Sequence, residues 1–124
     1  MALLLDTNVV IWWRTNDKQL STRVRERLLG GADALHISAV SAWEYGQKRR
    51  KYPALLPLSF TEVVEGMPFE PLALAFDMHR FAESLPLVHN DPFDRMLIAQ
   101  ALHHGHTLVA SDENIHRYPV PVFW

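Results

Sequence analysis

The sequence predicts an α/β fold in which helices cover both faces of a central, mostly parallel sheet of four to five strands. Short apolar runs typical of buried strands alternate with helical patterns along the chain. The length of 124 residues suits one core, and 48% of the residues are hydrophobic, enough to fill it. Because no repeat or linker divides the chain, we expect a single domain over residues 1–124.

Five segments have the composition of strands. The first, "ALLLD", is a short apolar run that ends in a carboxylate, which indicates a buried strand. The segment "MPFEPL" carries two prolines, so we expect it at an edge of the sheet or in a loop. The remaining three are "ALHIS", "TLVAS" and "VPVFW", and the last of these is expected at an edge.

Five other segments have the periodicity and the end signals of helices. Serine is a typical first residue for two of them, and proline or glycine stops each of the others. The predicted helices cover residues 21–29, 39–51, 59–65, 73–84 and 92–103.

Composition excludes several kinds of site. The chain has no cysteine, which rules out disulfides, thiolate zinc sites and cysteine nucleophiles, and suits a reducing cytoplasm. The amino-terminal run "MALLLDTNVVIWW" is interrupted by Asp6 and is too short to predict a membrane span. The net charge is −2, so a nucleic acid could not be held by overall charge and would need local attraction or bound cations.

Two aspartates follow predicted strands. Asp6 comes directly after "LLL", and Asp112 lies two residues after "LVA". Aspartate is common in turns and caps, which would explain either residue alone. Because ligands of parallel sheets lie beyond the carboxyl ends of the strands, two acids at one edge favour a functional site.

The stretch "HNDPFDRMLIAQA" contains two further aspartates, and their positions relative to the predicted helix indicate different roles. Asp94 precedes Leu97 by three residues and Ile98 by four, so it continues the buried stripe of its helix. An unpaired carboxylate there is costly, and a bound cation is the simplest compensation. Asp91 is expected instead to cap the helix, with Pro92 at the first helical position.

The residues alone do not decide whether Glu44 has a structural or a functional role. The segment "SAWE" matches the pattern of a capping box from Ser41 to Glu44. Alternatively, Lys48 lies four residues after Glu44, at the spacing of a helical ion pair. Periodicity does not place Glu44 on an apolar stripe. Acids that converge at one edge would repel each other and need Mg²⁺ or Mn²⁺, which supports phosphoryl chemistry.

The segments "LLLDTNVVIWW", "ISAVSAWEYGQK", "LPLVHNDPFDRMLIAQA" and "TLVASDENIHRY", in this order and spacing, resemble the PIN-domain ribonucleases and, among them, the VapC-type toxins of bacterial toxin–antitoxin pairs. The similarity covers nearly the whole chain. It implies a three-layer α/β/α fold and an endoribonuclease that cleaves RNA with water activated by Mg²⁺ or Mn²⁺. It also implies a cognate antitoxin that blocks the site, a homodimer and a cytoplasmic location without a membrane.

Carried over residue by residue, the acidic quartet of that family falls on Asp6, Glu44, Asp94 and Asp112 as catalytic and metal-binding residues. Three auxiliary positions, namely Thr7, Ser111 and Asp91, accompany them, and the two hydroxyl groups could orient water or an acid. The sequence departs from the family pattern at Asn8, where histidine is frequent, and in "RRKYPALLP", where a longer Gly-Lys turn is usual.

Other functions remain as alternatives. A related nuclease could process RNA without being a toxin, and a metal phosphatase or a DNA-directed nuclease could use the same acids. A non-catalytic, receiver-type domain that binds a ligand or metal would need an aspartate at the end of "ALHIS", which is absent.

Four further features have an ordinary explanation beside a functional one. The basic run from Lys48 to Lys51 ends a helix, where cations are favourable, or contacts RNA or an antitoxin. The histidines of "HHGH" are expected to form a polar helix end rather than a metal site, and His89 to hold its loop. Adjacent tryptophans cannot both face one core, so one of Trp12 and Trp13 is expected at an interface.

Overall fold

The computed structural model describes all residues from 1 to 124 and contains one sheet of five parallel strands. The strand order is β3-β2-β1-β4-β5, so the first strand lies at the centre. The prediction of a central, mostly parallel sheet is confirmed, as are the edge positions of the two weakest strands. The strands are β1 (Ala2–Leu5), β2 (Ala34–Ser38), β3 (Glu70–Leu72), β4 (Thr107–Val109) and β5 (Val122–Phe123).

Seven helices surround this sheet. Four of the predicted helices agree with the structure to within one or two residues at each end, and two observed helices, α1 and α7, were not predicted. The helices are α1 (Thr7–Thr15), α2 (Thr22–Leu29), α3 (Ala39–Lys51), α4 (Phe60–Val64), α5 (His79–Ser84), α6 (Pro92–His104) and α7 (Glu113–His116).

The predicted helix over residues 73–84 is wrong in its first half. The chain stays irregular after β3, makes a 3₁₀ turn at Phe76–Met78 and becomes α-helical only at His79. One reason is that the carbonyl of Ala73 accepts a hydrogen bond from the buried side chain of Gln100, 3.2 Å away, and so does not begin a helical ladder.

The sheet separates two layers of hydrophobic core, which confirms the three-layer arrangement. Successive residues of a strand face opposite sides, so Leu4 contacts one layer while Leu3 and Leu5 contact the other. The first layer lies under α6, and the second lies under α1, α2 and α4. All three leucines are completely buried, as expected for the central strand of a parallel sheet.

The chain reverses its winding direction at β1, because β2 pairs with one side of this strand and β4 with the other. Such a point leaves a crevice beyond the carboxyl ends of the strands. Leu5 is level with Ile37 and Val109, so the residues that follow these three positions meet at the same edge. Asp6 therefore leaves the sheet beside the start of α3 and the segment that follows β4.

The tryptophan pair does not behave as expected. Trp12 and Trp13 are both partly buried and both pack against the same core layer, and Trp12 contacts the ring of Trp124 edge-on at 6.0 Å. Partial burial of both side chains thus allows the two neighbours to share one core layer. Trp43 is instead the most exposed tryptophan, at 67%.

Of the histidines of "HHGH", His103 and His104 lie exposed in the last turn of α6, as expected, whereas His106 is buried. His106 is only 9% exposed and packs against His36 at 4.3 Å and His104 at 5.4 Å between ring centroids. We call His36, His104 and His106 the histidine stack. It lies where β4 begins, at the end of the sheet away from Asp6, and burial lowers the pKa of His104 and His106.

None of the helices is long and apolar enough to cross a bilayer.

Candidate metal centre

Asp6 occupies the position before the first residue of α1, where an aspartate normally caps a helix. Its side chain makes no capping hydrogen bond, although it is only 6% exposed. Burial, followed by the carboxylates of Asp94 and Glu44, raises the pKa of Asp6 to about 7, against weaker effects of the Thr7 amide and Lys48. The turn or cap explanation for this residue therefore fails, and its carboxylate is free to bind a ligand.

Asp94 lies in the first turn of α6 and is 8% exposed, as its helical phase predicts. Its Oδ2 atom lies 2.9 Å from Nε2 of His89. Burial, followed by the charge of Asp91, raises the pKa of Asp94 to about 6, against the opposing effect of the hydrogen bond to His89. Two buried carboxylates thus have pKa values well above the ordinary range.

Asp91 caps α6, as expected from the sequence. Its Oδ1 accepts hydrogen bonds from the amides of Phe93 and Asp94 at 2.9 and 3.3 Å. Its carboxylate is therefore engaged with the backbone of the helix that carries Asp94.

Asp112 follows β4 by three residues and begins the short helix α7. One of its oxygens accepts a hydrogen bond from the amide of Asn114 at 2.8 Å. A carboxylate oxygen of Asp112 nevertheless lies within 4.8 Å of the nearest donor atoms of His89 and Asp94. The neighbouring Ser111 is partly buried at the same edge.

Glu44 projects from α3 towards the same crevice and is 5% exposed. The suggested capping box does not exist, because α3 begins at Ala39 and is capped by the hydroxyl of Ser38. The suggested ion pair does exist, with 3.4 Å between Lys48 Nζ and Glu44 Oε2. The structure thus places Glu44 beside Asp6 and Asp94, where helical periodicity could not.

Thr7 and Ser41 join the two helices that carry Asp6 and Glu44. The hydroxyl of Thr7 donates a hydrogen bond to Oγ of Ser41 over 2.9 Å, and both residues are buried. The hydroxyl of Thr7 is therefore engaged with Ser41, which differs from the expectation that it orients water or an acid. The bond instead holds the start of α1 against α3.

The four acids form a chain of neighbours centred on Asp94. On the buried side Asp6 and Glu44 are close enough to raise the pKa of Asp6, and on the other side Asp112 approaches within 4.8 Å. Lys48 is the cation that pairs with one of these carboxylates in the structure. Several oxygen donors with little compensating positive charge fit a divalent cation such as Mg²⁺ or Mn²⁺.

Comparison with known proteins gives a consistent result. The family model described as "PIN domain" matches residues 3–121. The chain belongs to the PIN-domain family. Among curated proteins, this PIN domain is 33% identical to Ribonuclease VapC22 of Mycobacterium tuberculosis over 98% of this chain and 96% of that protein. PIN-domain nucleases generally use a divalent metal, which agrees with the donor set described above.

Solved structures share the fold of this PIN domain at low sequence identity. The toxin–antitoxin complex VapBC2 of Rickettsia felis bound to promoter DNA matches with a TM-score of 0.72 and 16% identity, over 99% of this chain and 98% of that chain. The DNA-bound VapBC complex of Salmonella typhimurium matches with the same TM-score of 0.72 and 22% identity, over 99% and 97% of the two chains.

The basic run from Lys48 to Lys51, which follows Glu44 on α3, is partly engaged in contacts within the protein. Lys48 pairs with Glu44, and the guanidinium of Arg49 donates to the carbonyls of Leu56 and Pro57. Lys48, Arg50 and Lys51 are exposed, whereas Arg49 is half-buried.

Several residues that shape the site of this PIN domain carry no clear sequence signal. The sequence indicated Ser41 only as a helix cap. Gln100 lies on a face of α6 whose other residues are apolar and buried. Tyr118 fixes the loop of His89 through its hydroxyl, which accepts from the His89 amide and donates to its carbonyl. The sequence offered one indication that His89 contacts Asp94, since the two residues are only five positions apart.

Proposed function

We propose that this PIN domain is an endoribonuclease that depends on Mg²⁺ or Mn²⁺ and is the toxin of a toxin–antitoxin pair. The observation that carries this proposal is the uncapped, buried carboxylate of Asp6 among Glu44 and Asp94. A carboxylate at this position would ordinarily cap the helix. Here it lies instead beside two other carboxylates, and a bound cation would offset their combined negative charge. The curated ribonuclease relative supports RNA as the substrate.

In this proposal Asp6, Glu44, Asp94 and Asp112 hold the metal. A divalent ion there would stabilise charge on a phosphodiester and lower the pKa of the attacking water. Asp91 keeps the first turn of α6 in place beneath Asp94. The Thr7–Ser41 hydrogen bond keeps Asp6 near Glu44, and Ser111 offers a hydroxyl at the edge where the substrate would lie.

The proposed partner is a cognate antitoxin. The solved neighbours include the toxin–antitoxin complexes of Rickettsia felis and Salmonella typhimurium, and the ribonuclease relative carries a toxin-type name. We place the activity in the cytoplasm, where an RNA-cleaving toxin would meet its substrate. The homodimer implied by the sequence resemblance stays a prediction, which light scattering of the purified protein would test.

The first test is cleavage of labelled RNA by the purified protein. We expect cleavage with Mg²⁺ or Mn²⁺, none with EDTA, and a loss of at least about 100-fold in Asp6→Asn and Asp94→Asn, because each removes a ligand charge. The matched control is Asp77→Asn, since Asp77 is exposed in the 3₁₀ turn. Cleavage that resists EDTA would refute the metal assignment.

The substrate class needs its own comparison. The same preparation is offered RNA, single-stranded DNA and a phosphomonoester, and the proposal expects cleavage of RNA alone. Preferential cleavage of DNA or release of phosphate would instead identify a DNA nuclease or a phosphatase that uses the same acids.

The toxin role is tested in a bacterial host. Induced expression is expected to stop growth, Asp94→Asn is expected to restore it, and co-expression of the cognate antitoxin is expected to restore it as well. Normal growth with active enzyme would favour an RNA-processing role.

A further inference from the structure

His89 faces the acidic crevice from the loop that precedes α6. Its Nε2 atom lies 2.9 Å from Oδ2 of Asp94, and the nearest donor atoms of His89, Asp94 and Asp112 all lie within 4.8 Å of one another. His89 is thus the one nitrogen donor in a group that otherwise offers carboxylate oxygens. It stands outside the acidic quartet on which the proposed function rests.

The loop of His89 is fastened on both sides of its backbone. The hydroxyl of Tyr118 accepts a hydrogen bond from the His89 amide at 3.0 Å and donates one to the His89 carbonyl at 3.2 Å. Tyr118 is 4% exposed, and its hydroxyl also accepts a hydrogen bond from Arg95 of α6. The backbone of His89 is therefore held to α6 and to the segment after α7, and this leaves the imidazole directed at Asp94.

The spacing of the donors suits a shared ion. Two adjacent ligands of an octahedral ion with bonds of about 2.1 Å lie about 3.0 Å apart. The separation of 2.9 Å between His89 Nε2 and Asp94 Oδ2 agrees with this value. Without a metal, Nε2 hydrogen-bonds to Asp94; a neutral ring with its proton moved to Nδ1 would present the Nε2 lone pair to an ion in the same space. Asp6 provides independent evidence of a ligand, since its carboxylate is 6% exposed and makes no capping hydrogen bond.

We propose that His89 is a ligand of the metal beside Asp94 and Asp112, and that it makes the site prefer Mn²⁺ over Mg²⁺. Mg²⁺ takes oxygen ligands and keeps its waters, whereas first-row transition ions gain affinity from an imidazole nitrogen. The inference rests on the proposed metal site and adds to it a residue that determines which ion is bound.

The test compares metal binding in the wild type and in His89→Gln. Glutamine retains an amide that can donate to Asp94 and an oxygen that can bind a metal, but it removes the nitrogen donor. We expect Mn²⁺ to bind about 10-fold more weakly in this variant by calorimetry, the size typical of a lost metal-site partner. Binding of Mg²⁺ is expected to change by less than about 3-fold, because an oxygen replaces the nitrogen.

A spectroscopic measurement reports the bond itself. In the Mn²⁺-loaded wild type, electron spin-echo modulation from a directly bound ¹⁴N nucleus is expected, and this signal is expected to vanish in His89→Gln. The matched control is His103→Gln, because His103 lies at the opposite end of α6 and is exposed. This control should keep both the signal and the ratio of the two affinities.

The outcomes separate the inference from the proposed function. Wild-type protein that binds both ions without a ¹⁴N signal, or a His89→Gln variant that loses Mg²⁺ and Mn²⁺ equally, would overturn the role of His89 and leave the acidic site intact. Wild-type protein that binds neither ion would overturn both. Asp94→Asn is expected to weaken both ions, which confirms that the binding measured is at this site.

Discussion

At the scale of single residues, the protonation of Asp6 links the site to stability. With a pKa of about 7, the folded protein keeps a proton on Asp6 that the unfolded chain releases near pH 4. The folded state therefore binds more protons between these values, so the metal-free protein loses stability as the pH rises from 4 to 7. A bound cation would reverse this loss, because it favours the ionised carboxylate.

The first prediction concerns Asp6→Asn in EDTA. The difference in unfolding free energy between this variant and the wild type should grow in favour of the variant from pH 4 to pH 7, by a few kcal/mol, since one pKa unit corresponds to about 1.4 kcal/mol. Urea denaturation at several pH values measures it. Parallel curves for the two proteins would contradict the raised pKa.

The second prediction concerns the hydroxyl of Tyr118. Tyr118→Phe leaves the amide and carbonyl of His89 without their partner, and we expect a loss of about 1–3 kcal/mol in unfolding free energy. We also expect weaker Mn²⁺ binding, because the His89 loop is no longer fastened. Urea denaturation and calorimetry measure the two effects. Tyr52→Phe, a change at an exposed tyrosine, serves as the control.

How far the site can be predicted depends on each residue's local surroundings. Asp94 was placed correctly because Leu97, Ile98 and Ala101, which lie three, four and seven residues further along α6, define the buried face that Asp94 shares. Glu44 could not be placed, since α3 packs against both core layers and shows no single apolar face. The role of His89 depends on the hydroxyl of Tyr118, which is 29 residues away in the chain.

At the scale of elements, α1 and α3 position two of the acids relative to each other. The hydrogen bond between Thr7 and Ser41 lies one residue after Asp6 and three residues before Glu44. A change at either hydroxyl is therefore expected to alter the separation of the two helices as well as stability.

The third prediction tests this link with Thr7→Val. The buried hydroxyl of Ser41 loses its donor, so we expect a loss of about 1–3 kcal/mol in unfolding free energy together with weaker metal binding. Ser41→Ala and the double variant complete a cycle, and the double variant should be less destabilised than the sum of the two changes. Strict additivity would show that the two hydroxyls act separately.

Helix α1 shows why part of the fold could not be predicted. Its first half reads "TNVVI", and β-branched residues directly after an apolar strand resemble a continuation of that strand. Tertiary packing decides the outcome, because Val9 and Val10 are fully buried against the sheet. Helix α7 has only four residues, too few for any periodicity to indicate it.

At the scale of the whole molecule, the two ends of the sheet respond to pH in opposite directions. The acids lie at the carboxyl end of β1, and the histidine stack lies at the start of β4. Burial lowers the pKa of His106 and His104 in the folded protein. Below pH 6.5 these histidines are therefore protonated more fully in the unfolded chain than in the folded one. This end therefore loses stability as the pH falls, whereas the acidic end gains it.

The fourth prediction isolates the histidine stack with His106→Phe. The aromatic ring retains packing against His36 and His104 but cannot be protonated. The difference in unfolding free energy between this variant and the wild type should therefore shift in favour of the variant from pH 6.5 to pH 5, measured by urea denaturation of both proteins. A constant difference would show that protonation of the stack does not affect stability.

The exposure of Trp43 has a practical consequence for optical work. This indole is one residue from Glu44 and 67% exposed, whereas the other three tryptophans are partly buried. A water-soluble quencher such as iodide should reach Trp43 first, so the quenchable part of the intrinsic fluorescence reports on the exposed surface of α3 beside Glu44. Shielding of that emission by an added oligonucleotide or antitoxin peptide would show that the ligand covers this surface, without any attached dye.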